Sequence, residues 1–135
     1  GGTAMNGSTQ QDIGKLILRI ALGVLVFLHG LSKLEGGLDG IVKLVETQGF
    51  PGVFAYGVII GEVIAPLLVI TGFFSRIGGI LIVINMLFAL YLVHQGDIGH
   101  LNEQGGWAIE LQVMYLFSGA AVALLGPGKW AFNQR

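Results

Sequence analysis

The sequence predicts an all-α integral membrane protein, an antiparallel four-helix transmembrane bundle, and three observations carry that expectation. Its side chains are 53% hydrophobic against 11% charged, with a mean hydropathy of +0.77, whereas soluble domains carry about 25% charged residues. Four apolar stretches, Ile13–Leu34, Val53–Phe74, Arg76–His94 and Trp107–Gly126, each reach the roughly 17–25 residues of a spanning helix. Lys and Arg then fall mainly at one end of such a bundle. Lys15, Arg19, Arg76, Lys129 and Arg135 share the side of the two termini, against Lys33 and Lys43 on the other. By the positive-inside rule both termini are cytoplasmic and the two longer loops face outward.

Taken in order, residues 1–12 read as an expression-tag scar (Gly1–Ala4) running into a flexible start. No cleavage pattern follows the first apolar stretch, which is read as retained. It leaves through the glycine-rich EGGLDG into IVKLVETQG. On a helix Ile41, Leu44 and Val45 share one side of that segment and Lys43, Glu46 and Thr47 the other, which predicts a short amphipathic helix on the membrane surface in the first outer loop. Phe50, Pro51 and Gly52 break it and start the second span. That span holds Gly57-x-x-x-Gly61, a spacing that lets helices approach closely, and Pro66, which kinks a helix or frees a carbonyl. A tight turn at Phe74–Arg76 leads into the third span; Trp107 and Trp130 read as interfacial anchors around the fourth. The domain so defined covers residues 13–130, with 131–135 as a tail.

The polar residues inside these spans are the candidates for chemistry, because a charge in hydrocarbon survives only with a partner, with water or by reaching the interface. On the first helix Arg19, His29 and Lys33 share one arc: Lys33 lies about 40° and His29 about 80° from Arg19. Glu62 sits roughly 13 Å deep from the outer face, nine residues into its span at 1.5 Å each. Asn85 is mid-span, while His94, Glu110 and Gln112 lie towards the outer side. Asn85 opposes His94 at about 180°, and Glu110 is about 200° from Gln112, so one of each pair faces headgroups or loop. Glu62, His29 and Glu110 are expected to face inward. Glu62 needs a basic partner at its depth, with His29 the first choice and Arg19 the second. Such residues either mark function or glue helices together, and Arg19, Lys33 and His94 also fit as interfacial anchors.

Several classes of chemistry are disfavoured. There is no cysteine, hence no thiolate catalysis and no cysteine-ligated cluster. The net charge of −1, with no basic run, argues against nucleic acid. Two His and two Glu come from separate spans without an HExxH or ExxH element, and no haem or nucleotide motif is present, so no metal site is assigned. General acid–base work by Glu62 with His29 is easier to support, as a proton relay. A quinone-like or other flat lipophilic ligand would suit such a pocket, with Phe27, Phe54, Phe73, Phe88 and Tyr91 as walls or as plain packing.

The stretches LRIALGVLVFLHGLSKL, GFP and GEVIAPLLVITGFFSRIGGILIVINMLFALYLVH, then a fourth-span Glu followed by LLGPGKW, resemble the DoxX family of small bacterial inner-membrane proteins from about Leu16 to Trp130. The resemblance marks Arg19, His29, Gly30, Lys33, Gly49, Pro51, Glu62, Gly72, Arg76, Asn85, His94 and Glu110. It implies a four-helix membrane fold in the bacterial cytoplasmic membrane. It also implies association with quinone-linked oxidoreductase complexes, oxidative-stress assemblies or quinone resistance. Two functions follow as expectations. One is a redox-associated subunit or small enzyme binding a quinone-like ligand in the outer half. The other is a non-enzymatic accessory or assembly protein that stabilises a membrane partner complex through its span faces and Gly57/Gly61; membrane lipids, an oxidoreductase complex and a second copy of the chain are the partners expected.

Overall fold

The computed structural model describes residues 7–92 and 95–135; His94 lies outside them. Among the described residues there are five long helical segments, α1 (Gly7–Glu35), α2 (Gly37–Thr47), α3 (Phe54–Thr71), α4 (Ser75–Leu92) and α5 (Glu110–Leu125), and one 3-10 turn at Gln95–Asp97. The described residues form no strand, only an isolated bridge between Leu101 and Trp107 in the loop before α5. α1 begins at Gly7, inside the stretch read as a flexible start. Of the four expected spans, α1 and α3 are long and apolar enough to cross a membrane; α4 and α5 are apolar but shorter.

The helix ends follow from local chemistry. α2 stops at Gly49, whose positive φ of 88° only glycine adopts without strain. There Phe50 N–H bonds back to Val45 O and Gly49 N–H to Glu46 O, which takes up carbonyls the helix leaves open. Gly72 ends α3 in the same way, with φ 73° and with Gly72 and Phe73 N–H both on Leu68 O.

α1, α3, α4 and α5 contact one another in a closed ring in that order, and α2 lies across α1 and the start of α3. The main core takes Leu22 and Val26 from α1, Ala65 and Val69 from α3, Ile82 and Met86 from α4, and Tyr115 and Val122 from α5. A second cluster joins Ile41 and Val45 of α2 to Ala55 and Val58 of α3. The amphipathic helix expected to lie on lipid therefore turns its apolar face onto protein. Gly57 has open space beside it, whereas Gly61 is pressed against the Asn85 side chain of α4. Outward, each long helix shows large apolar side chains, among them Ile17 and Leu28, Ile60 and Leu67, Ile80 and Ile84, and Phe117 and Leu124. A belt of that extent marks a surface meant for lipid rather than water.

Candidate functional site

The site begins with a break in α3. Pro66 has no N–H to give, and its ring collides with the carbonyl four residues earlier, which belongs to Glu62. The backbone answers by widening: Ile60–Ile64 forms a π-helical turn, closed by Ala65 N–H on Ile60 O. Such wide turns are frequent at functional sites. The Glu62 carbonyl then points at α1, where any side chain in place of Gly30 would collide with it. Gly30 thus lets the two helices meet at the level of Glu62.

Three residues beyond Gly30, Lys33 reaches the Glu62 carboxylate, Nζ to Oε2, at 2.5 Å. Glu62 is 4% exposed, so its charge is balanced inside the protein, while the Lys33 side chain is 36% exposed. The basic partner of Glu62 is neither His29 nor Arg19. The reason is directional: side chains on a helix lean towards its N-terminus. Lys33, at the far end of α1, leans back over the Gly30 turn to the depth of Glu62. Arg19 leans away from it. Its guanidinium is 1% exposed and donates to four carbonyls, Val69 O at 2.9 Å, Ile70 O at 3.1 Å, Pro127 O at 2.8 Å and Trp130 O at 2.7 Å. Arg19 closes the C-terminal end of α3 and fastens the tail to it.

The Lys33–Glu62 pair borders a cavity of about 270 Å³. His29, Gln112 and Tyr115 complete its polar lining; Val26, Leu44, Met86, Ala89 and Leu111 are its apolar walls. All five helices contribute, with α2 placing Leu44. The His29 ring meets Tyr115 edge-on, with centroids 5.7 Å apart and planes at 75°. The cavity offers an ammonium donor, a carboxylate acceptor, an imidazole, an amide and a phenol around an apolar floor. That inventory suits a small ring bearing oxygens.

Glu110 does not face inward. It is exposed at the start of α5 and its Oε1 accepts from Asn102 Nδ2 at 3.1 Å. Gln112, at the opposite angle, is the member of that pair that lines the cavity. Asn85 is buried beside Gly61, and its Nδ2 has no hydrogen-bond partner among the described residues. The expected aromatic walls are elsewhere: Phe27 is not among the residues lining the cavity, Phe54, Phe88 and Tyr91 gather around Phe50 under α2, and Phe73 packs on Phe74. Tyr115 is the ring in the cavity, and the sequence reading missed it.

Helices sheathed in apolar side chains around a small polar cavity define a helical membrane protein. The chain belongs to the DoxX family, whose model matches residues 14–95. That stretch contains Arg19, His29, Lys33 and Glu62, and leaves α5 with Gln112 and Tyr115 outside it. Among relatives, a Bacillus subtilis (strain 168) protein named "Putative oxidoreductase CatD" is 35% identical over 82 residues, which is 61% of this chain and 60% of that protein. The chain's match thus spans about 60% of that relative's length. The Escherichia coli (strain K12) "Inner membrane protein YphA" is 27% identical over 130 residues, 89% of this chain and 88% of that protein. No solved structure matches the chain.

Proposed function

We propose that this protein crosses the bacterial inner membrane four times, with both termini cytoplasmic, and binds a quinone-like ring beside Lys33 and Glu62 as a subunit or small enzyme of an oxidoreductase system. The topology rests on the lysine and arginine count, on the likeness to a protein named for the inner membrane, and on the gathering of the termini side. There Arg19 holds Trp130 O, and Arg76 N–H donates to Arg135 O at 3.2 Å. Reporter fusions active only outside the cytoplasm should be silent after Ser75 and active after Asp97. Activity after Ser75 would refute the four-span order.

The cavity carries the functional reading. An apolar cavity of about 150 Å³ holds benzene, so about 270 Å³ takes one substituted ring and little more. Reducing a quinone to a quinol consumes two electrons and two protons. The electrons would come from a partner's redox centre, in keeping with the likeness to a protein named as an oxidoreductase. This chain handles the protons: the Lys33 ammonium donates one to a ring oxygen and regains it from the outer aqueous side by way of Glu62, while His29 passes the second, drawn from the same side, to the other oxygen across the cavity. The competing accessory role loses one of its two glycines, because Gly61 is already engaged by Asn85. Lipid extraction of the pure protein should release about one quinone per chain, and a benzoquinone probe should bind saturably, as a formed pocket requires. If extraction yields none and the probe fails to saturate, the accessory role is the one left standing.

A further inference from the structure

A second groove adjoins the cavity. It measures about 260 Å³ and is lined by Leu25, Leu28, His29 and Ser32 of α1 with Tyr115 of α5. The four α1 residues are spaced as one face of a helix, and Leu25 and Leu28 are 48% and 55% exposed, on the surface that meets lipid. His29 and Tyr115 line both spaces. They stand edge to face at the seam between α1 and α5.

We infer that this groove is the lateral doorway and tail channel of the cavity: a membrane-dissolved ligand brings its polar ring in past His29 and Tyr115, whose edge-on contact parts to admit it, and leaves its hydrocarbon tail lying along Leu25 and Leu28. The inference rests on the cavity being a ligand site, and it adds the ligand class, a ring with an attached apolar chain. Two arguments carry it. The cavity has room for a single ring, so any tail must leave it. The exit must also open to lipid, because methylene groups left in water are unfavourable, and the groove that shares walls with the cavity opens on the apolar belt. Since lipid solvates a tail as well as leucine does, the groove accommodates the chain rather than adding affinity.

The test compares two probes at fixed probe-to-lipid ratio in nanodiscs, a methoxy-substituted benzoquinone with no tail and the same ring with a decyl chain. Taking the ratio of variant to wild type for each probe cancels partitioning into the bilayer. Leu28→Trp fills the groove, and Leu25→Trp fills it one turn away; both positions are exposed enough to accept the ring without repacking the core. In each variant the tailed probe should bind about tenfold more weakly, while the tailless probe stays within about twofold of wild type. Unchanged binding of the tailed probe overturns the doorway and leaves the cavity reading intact, as does equal loss of both probes in both variants. Failure of both probes on the wild-type protein overturns the cavity reading itself, and the inference falls with it.

Discussion

Replacing Arg19 by leucine should lower the stability of the protein in detergent by roughly 3–5 kcal/mol, the cost of stranding several buried acceptors at once. At about 4 °C per kcal/mol for a chain of this size, the melting point should fall by about 12 °C or more. The last turn of any helix leaves four carbonyls without an internal partner. In α3 these belong to Leu68, Val69, Ile70 and Thr71. Leu68 O is taken by Gly72 and Phe73 N–H, and Thr71 O by Phe132 N–H at 3.4 Å. Arg19 supplies the other two bonds, and from the same guanidinium it holds Pro127 O and Trp130 O of the tail. A leucine would fill the volume and satisfy none of them. The positive charge also lies at the negative end of the α3 dipole, which favours it there. Arg19→Lys keeps the charge but sends its three donors from one nitrogen, so it should recover about half of the loss. Melting followed by size-exclusion after heating reads the effect. A leucine variant that melts within about 2 °C of wild type would show that water or lipid headgroups replace the arginine without penalty.

Arg76 repeats this arrangement on the neighbouring helix: its Nη1 donates to Ala123 O at 2.9 Å and Leu124 O at 3.0 Å, near the end of α5. Two residues that the charge count treats only as topology signals are therefore also helix caps. One fact explains both uses. The C-terminal ends of α3 and α5 lie on the side of the protein where the arginines are, and a helix C-terminus attracts cations.

The hydropathy of the chain made its helices legible, because segment length and apolar content depend on composition alone. Pro66 also announced the irregularity at Glu62, since the clash four residues back is a local property of the ring. The pairing inside was less legible. Angular position put Arg19, His29 and Lys33 on one arc; Lys33 and His29 both line the cavity, but His29, expected to face inward, is exposed at its edge. Depth was misjudged because it was counted at Cα, whereas the lean of each side chain moves a long one by most of a helical turn. That shift carries Lys33 down to Glu62 and takes Arg19 away from it. Tyr115 and Gln112 were harder to find for a different reason. A tyrosine in an apolar helix has no local signature of a cavity, which exists only where α5 faces Lys33 and His29 across the assembly. Glu110 is expected to face inward because a carboxylate cannot be left towards lipid. The loop from Gly96 to Ile109 brings Asn102 to it instead, and the requirement is met at the surface.

The two members of the Lys33–Glu62 pair should respond unequally to mutation. Lys33→Met removes the cation and leaves a carboxylate that is 4% exposed, so it should destabilise the protein by roughly 2–4 kcal/mol. Glu62→Gln leaves a lysine whose side chain is 36% exposed and free to turn to water, and its loss should be about 1 kcal/mol or less. The double variant should return to within about 1 kcal/mol of wild type, since it buries no unpaired charge. Activity should follow a different order. If Glu62 returns protons to Lys33 at the ligand, Glu62→Gln folds normally yet turns over about a hundredfold more slowly, the lower end of what a positioned acid–base group contributes. His29→Gln should then be slowed as well, while the stable double variant stays inactive. The double variant is the decisive protein, because it separates the two roles of the pair. Restored stability without restored turnover assigns the pair to proton handling. Restored stability with wild-type turnover would make it a structural clasp between α1 and α3, and the relay would have to be abandoned.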